Sequence, residues 1–435
     1  MEVRLNNKTK AALSAIAVAL FLIFVFLGDK FIPAGSTWKM LITVIEKGSI
    51  YALVAASMNL LNGFTGLFSL GQAGFMLIGA YSYAIFTIPA GSHDKVYQYF
   101  DGGIIKWSLV EILEGKIGIL GHYIGMFIPM LGAGLFVAVI AYLIGIPVLR
   151  LKSDYLAIAT LGFAEIIRAF FQWNTLGPVT NGSNVLRKYT TYSNAVFPVL
   201  IGGISIALIL LLINSTYGRA FKAIRDDEIA AEAMGINLFR HKEISFVISS
   251  FFAGISGALL AMFQTTINAT PFNTVMTYEI LLIVVIGGIG SITGSVIGAF
   301  LFTAASEWWL RGLDSGRWLG ISSSLMRPGF RKVVFAVLIM LIVLFYAQGI
   351  MGSKEFSWDR FLTWWKRLPS NLKAWPEKRR AKSAAKKEAR AVKAAAKAKA
   401  KEAKADNEAR KASGQALFTP LPVSDHVIVF EKEGK

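Results

Sequence analysis

The sequence predicts an all-α polytopic membrane protein with a basic C-terminal extension. Three observations lead there. The mean hydropathy is +0.54 and 54% of residues are hydrophobic, while only 17% are charged, below the roughly 25% of soluble domains. Apolar runs recur along the first 350 residues with the length a helix needs to cross a bilayer, about 20 residues. Glycine (40 residues) and phenylalanine (31) are abundant, a mix that lets membrane helices approach closely.

Hydropathy marks about nine apolar segments, near 11–28, 40–61, 64–88, 122–148, 153–172, 195–214, 244–268, 277–304 and 332–350. The first follows Arg4, Lys8 and Lys10. It is too long for a signal-peptide core and lacks a small-residue cleavage site, so it reads as an uncleaved span. Two segments do not read as simple rods. FTGLFSLGQAGFMLIGAY (64–81) and VVIGGIGSITGSVIGAF (284–300) mix glycines with polar residues. Backbone broken in this way survives at membrane depth only where protein or a water-filled cavity satisfies it. The pair reads either as corresponding breaks in two internal halves or as close helix packing through glycine.

Sidedness follows Lys and Arg. With the N-terminus inside, six crossings place the 215–242 loop inside, with Arg219, Lys222, Arg225, Arg240 and Lys242. The 150–154 link, RLKSD, falls on the same side. Nine simple crossings would then put the basic tail outside. A re-entrant hairpin or hidden crossing is therefore expected, and 277–304 is the prime candidate. The polar stretch 89–121 lies outside by this count. Trp308, Trp309 and Trp318 suit a headgroup-level belt.

The expected organisation is an N-terminal span and linker (1–37), a membrane domain (38–351) and a tail (352–435). Between Lys354 and Lys411 the tail holds 19 Lys/Arg against seven Asp/Glu, a net +12. It has strong helix formers but no large apolar stripe to pack. It reads as a solvated extension on the inner side, or as a contact for anionic lipid. No recognition module accompanies the charge, so nucleic acid is not an expected partner.

The most organised polar segment is STYGRAFKAIRDDEIAAEAMGIN (215–237). Asp226, Asp227 and Glu228 suit a helix N-terminus. Ile229, Ala233 and Ile236 make a small apolar face, and Gly235 is placed to end the helix. A rigid ridge of this kind, set between membrane spans, reads either as a docking joint or as an interfacial amphipathic helix.

Without cysteine there are no disulfides, thiolate metal sites or cysteine nucleophiles, and the four histidines are scattered. No metal site and no catalytic residue is expected. No GxxxxGK[ST] phosphate loop occurs, so the chain is not expected to hydrolyse ATP.

Within the membrane, Asn59, Asn62, Thr65, Ser69 and Gln72 lie among the glycines of the first broken segment. Their amides and hydroxyls suit contact with a zwitterionic solute. Thr160 and Glu165 lie in a membrane-like run, with Arg168 three residues on. Glu165 reads either as a polar lining of a pathway or as half of a structural ion pair. Thr180, Asn181, Gly182 and Ser183 form an outer polar patch that suits an entrance.

Four stretches carry a resemblance: MNLLNGFTGLFSLGQAGFMLIGAY (58–81), DYLAIATLGFAEIIR (154–168), the 215–237 segment, and EILLIVVIGGIGSITGSVIGA (279–299). In order and spacing, over roughly 38–350, they resemble the LivM-type permeases of the branched-chain amino acid ABC importers. The resemblance implies an ABC importer permease bundle with glycine-broken helices in an inner membrane. It implies that Gly218, Arg219, Arg225, Ala230, Ala231, Glu232, Ala233 and Gly235 couple the chain to an ATPase. The implied partners are a second permease of related fold, two ATPase subunits that bind ATP and Mg, and an extracytoplasmic solute-binding protein. Leucine, isoleucine and valine are the implied solutes, and the related urea importers supply the main alternative. The family's Thr-Gly-Gly-Ser has Asn181 as its second residue in this chain, and the basic tail is a departure. An ATP-independent channel or secondary transporter, and a membrane scaffold whose tail recruits lipid or ribosomes, are the rival functional classes.

Overall fold

The computed structural model describes residues 6–310 apart from 34, 35, 37 and 152, with short stretches between 317 and 359. The chain divides into a unit of residues 6–356 and a second of 1–5 with 357–435. Most of the expected 332–350 span and nearly all of the tail lie outside the described residues.

The first unit is an all-α bundle. Its helices are α1 (Asn7–Phe31), α2 (Lys39–Asn59), α3 (Gln72–Thr87), α4 (His93–Val96), α5 (Leu109–Ile117), α6 (Ile119–Val148) and α7 (Ser153–Gln172). They continue with α8 (Gly177–Thr180), α9 (Val196–Asn214), α10 (Thr216–Asp226), α11 (Glu228–Ala233), α12 (Leu238–Gln264), α13 (Thr274–Gly287) and α14 (Ile292–Ala304). Six described helices are long and apolar enough to cross a membrane, and α3 with the 90–96 helical turns adds a pair bent by 103°. A short antiparallel clasp, β1 (Leu186–Arg187) on β2 (Thr266–Ile267), ties two loops at one end.

The centre is α3 against α12, flanked by α2 and α6. Small residues permit this. A Cβ on Gly79 would overlap the Gly254 carbonyl, and one on Gly257 would overlap the Met76 carbonyl. Lipid offers no hydrophobic drive for association, so close packing and interhelical hydrogen bonds hold these helices together.

Both glycine-rich segments are broken, each in its own way. Segment 64–88 is not one span. A π-helical turn at Leu60–Thr65 ends the α2 rod, residues 66–71 run without helix, and α3 begins at Gln72. Segment 277–304 is a hairpin of two short helices. Ser295 meets Asn59, Phe300 lies over Gly48, and Glu307 pairs with Lys47, so α14 runs antiparallel to α2. The turn between α13 and α14 uses Gly288 (φ 119°) and Gly290 (φ 87°), conformations closed to most L-residues.

The hairpin replaces the single apolar segment marked at 277–304 with two short helices. The amides of Ile350 and Met351 donate to the carbonyls of Ile286 and Gly287, at the hairpin tip. That tip lies at the same end of the bundle as Arg225. Helix α12 begins at Leu238, six residues before the hydropathy edge, because Asn237 caps it directly out of the polar segment.

Candidate functional site

The 215–242 segment folds as two short helices set between α9 and α12. Ser215 adopts extended backbone (ψ −178°) and breaks α9 from α10. Phe221 and Ile224 are buried, and Gly218 packs so tightly on the Ile213 carbonyl that a Cβ would overlap it. The Asp227 side chain accepts from the amides of Ile229 and Ala230, capping α11 as its position predicts. Gly235 follows with φ 82°, in open space. Backbone conformation, not crowding, calls for glycine there.

Three contacts make this joint rigid. Arg225 Nη1 donates to the Gly63 carbonyl at 3.0 Å. Lys242 pairs with Glu228 at 2.7 Å, tying α12 to α11. The Lys222 ammonium sits 5.6 Å from the centre of the Phe64 ring. Gly63 and Phe64 belong to the π-helical turn that ends α2, so the joint grips the first broken span at its break. Gly66 (φ 78°) lies under Arg225, which leaves little room for a side chain.

The outer surface of the joint is apolar at two points: Ile229 is 82% exposed and Met234 83%. Arg219, Ala230, Glu232, Ala233 and Gly235 are exposed too, whereas Ala231 is only 4% exposed and faces the bundle. Ile236 is half-buried, so Met234 and not Ile236 completes the exposed apolar pair.

The residues selected as a pathway are largely committed to other parts of the chain. Asn59 donates to Ser295 Oγ at 2.7 Å and to the Ser291 carbonyl at 2.9 Å, and accepts from the Gly290 amide at 2.8 Å. Thr65 bonds Ser245, and Asn62 exchanges bonds with the Ser69 backbone. Thr160 accepts from the Leu70 amide. Gln72 donates to Ser249 at 2.9 Å, but its Oε1 is buried without a partner. Together these bonds splice the two broken segments to one another and to α12. Ser245, Ser249, Ser291 and Ser295 were missed from sequence. Their signal was hydroxyls four residues apart in otherwise apolar runs.

Glu165 pairs with Arg168 at 2.7 Å, and its other oxygen accepts from the Thr274 amide and hydroxyl. It therefore caps the start of α13 from α7. Glu355, also missed from sequence, does the same for α14: it accepts from the Ile292 and Thr293 amides and the Thr293 hydroxyl.

At the opposite end, Thr180 accepts from the Gly182 amide. Asn181 sits at φ 64° and donates to the carbonyls of Val96 and Val185. Asn is the side-chain-bearing residue best suited to a position where glycine is otherwise expected. Thr180, Asn181 and Gly182 are buried, and Ser183 is exposed.

The described residues thus form a multi-pass helical bundle with two broken segments, the first of them gripped at its break by the 215–242 segment. The chain belongs to the family described as "Branched-chain amino acid transport system / permease component", which matches residues 40–353. Among its relatives, the high-affinity branched-chain amino acid transport system permease protein LivM of Escherichia coli K12 is 31% identical over 292 residues. That match covers 59% of this chain and 61% of the relative. The LivH permease of Salmonella typhimurium is 26% identical over 324 residues, 72% of this chain and 94% of the relative. A probable LivM of Methanocaldococcus jannaschii is 24% identical over 329 residues, 70% and 91%. No solved structure matches significantly.

Proposed function

We propose that this chain is the LivM-type permease of an ATP-driven importer of leucine, isoleucine and valine. It works beside a second permease of related fold, two ATPase subunits and an extracytoplasmic solute-binding protein. The four sequence motifs and the higher identity to the Escherichia coli LivM than to the Salmonella typhimurium LivH support this reading. ATP and Mg are bound by the partner ATPases.

The observation that carries the coupling role is the exposed Ile229 and Met234 pair, mounted on a joint that Arg225 fastens to the Gly63 carbonyl. Exposed apolar side chains on a rigid ridge suit a partner's groove. Motion of an ATPase bound at Ala230, Glu232, Ala233 and Gly235 pulls through Arg225 on the break at residues 60–66. From there Asn59 passes it to the α13–α14 hairpin. A flexible loop would dissipate that displacement.

Solute crosses near the interface with the second permease. Gln72, with an uncommitted buried Oε1 beside the non-helical 66–71 stretch, is the pathway residue with polar capacity left for a solute. Ser183 meets the binding protein. The test is Glu232→Lys and Gly235→Val, with ATPase co-purification and uptake measured together. Both are expected to fall, and unchanged values for both would end the coupling reading. Leucine and urea competing for uptake by the reconstituted complex decide the solute.

A further inference from the structure

A cavity of about 300 Å³ opens where α10 meets α12, lined by Thr216, Tyr217, Arg240 and His241. Nothing in the coupling role uses it. Its polar groups have capacity to spare. Among the described residues Arg240 has no acidic partner, nor has Arg219 one turn along α10; the ion pairs of this segment are Arg225 with Asp226 and Lys242 with Glu228. His241 Nδ1 bonds the Asn237 carbonyl at 2.8 Å, which leaves Nε2 for a ligand. Its ring lies 6.0 Å from Tyr217 and 6.5 Å from Phe221, so the wall of the cavity is braced.

The position decides what such a cationic cleft meets. The exposed apolar face of α9 runs to Leu211, one turn before Ser215, and α12 exposes Phe239 beside Arg240. Lipid-facing side chains thus give way to unpaired cations within a single helical turn. That is the depth of the phosphate layer of a leaflet. An arginine fork, a hydroxyl and an imidazole around a small polar cavity match a phosphodiester with further oxygens beside it.

We propose that this cleft holds the phosphate headgroup of an anionic phospholipid from the leaflet on the joint's side. The lipid sits against the start of both α10 and α12, so it stiffens the joint without touching the ridge at 229–235.

The test uses the full-length chain, co-purified with its partner subunits, in mixed micelles of phosphatidylglycerol or phosphatidylcholine. Retained lipid is counted by native mass spectrometry. Wild type is expected to retain phosphatidylglycerol in preference to phosphatidylcholine. Arg240→Gln is expected to weaken that retention about five-fold, the usual worth of one interfacial cation, and Arg240→Lys to preserve most of it. Tyr217→Phe with His241→Phe keeps an aromatic ring at both positions and serves as the second variant if Arg240→Gln misfolds; it too is expected to lose retention. Equal retention by wild type and these variants overturns the proposal. So does displacement of the lipid by a few millimolar inorganic phosphate, which would mark a site for the free anion. Lost ATPase co-purification with unchanged lipid retention also overturns it, and assigns Arg240 to the ATPase surface.

Discussion

Replacing Asn59 with leucine tests the splice between the broken spans. The branched shape is kept, so the loss is chiefly polar. Four hydrogen bonds disappear, to Ser295 Oγ and the carbonyls of Ser291 and Gly288 and from the Gly290 amide. The three acceptors keep other bonds: Ser295 donates its own hydroxyl to the Ser291 carbonyl, which also accepts the Ser295 amide, and the Gly288 carbonyl accepts the Ser291 amide. The Gly290 amide, buried at the hairpin turn, is left with nothing. An orphaned buried donor costs about 1–3 kcal/mol, and the three bonds the Asn59 amide donates, at about 0.6 kcal/mol each, add roughly 2 kcal/mol. The expected destabilisation is about 3–5 kcal/mol. Asn59→Asp keeps an acceptor for Gly290 but turns an oxygen towards carbonyls, so it should cost at least as much. Reversible unfolding in mixed detergent micelles at increasing dodecyl sulfate fraction measures both. If Asn59→Leu lies within about 0.5 kcal/mol of wild type, the hairpin does not depend on this amide and the splice argument is wrong.

Arg225→Ala should leave the ATPases bound yet lower uptake at least ten-fold, because the grip on Gly63 is lost while the ridge survives. Its stability cost should be only about 1 kcal/mol, the side chain being a third exposed; loss of ATPase co-purification instead would place Arg225 on the docking surface. Gly257→Leu drives a side chain into the Met76 carbonyl and should cost upwards of 3 kcal/mol, overpacking here meeting backbone. Gly132→Leu, in open space on α6, should be near neutral, and thermal stability in detergent compares the two. Glu165→Gln should lower thermal stability by about 1 kcal/mol through its hold on Arg168 and Thr274, with the KM for solute unchanged. A KM shift without loss of stability would make Glu165 a pathway residue instead.

Much of the membrane bundle was legible in sequence, because the apolar runs that span it are local. Asp227, Gly235 and the acidic start of α11 could be read for the same reason: a cap and a positive φ are properties of neighbouring residues. The hairpin was legible only as a conflict between crossing number and tail charge. Its resolution required seeing α14 return along α2. The polar residues of the break were picked out correctly as unusual, but chemistry alone cannot say whether an amide faces solute or protein. Asn59 and Thr65 turned out to serve partners more than 170 residues away in the chain. Arg225 likewise reads as a surface cation until Gly63 is seen beside it.

By itself, then, the sequence determined most of the described spans and the places where two of them break, since hydropathy, glycine and helix caps act over a few residues. Only the tertiary structure decided what the joint holds and which buried amides and carboxylates are already engaged. Those bonds join positions far apart in the chain, and in a bilayer core, where water offers no alternative partner, they settle which way each polar side chain turns.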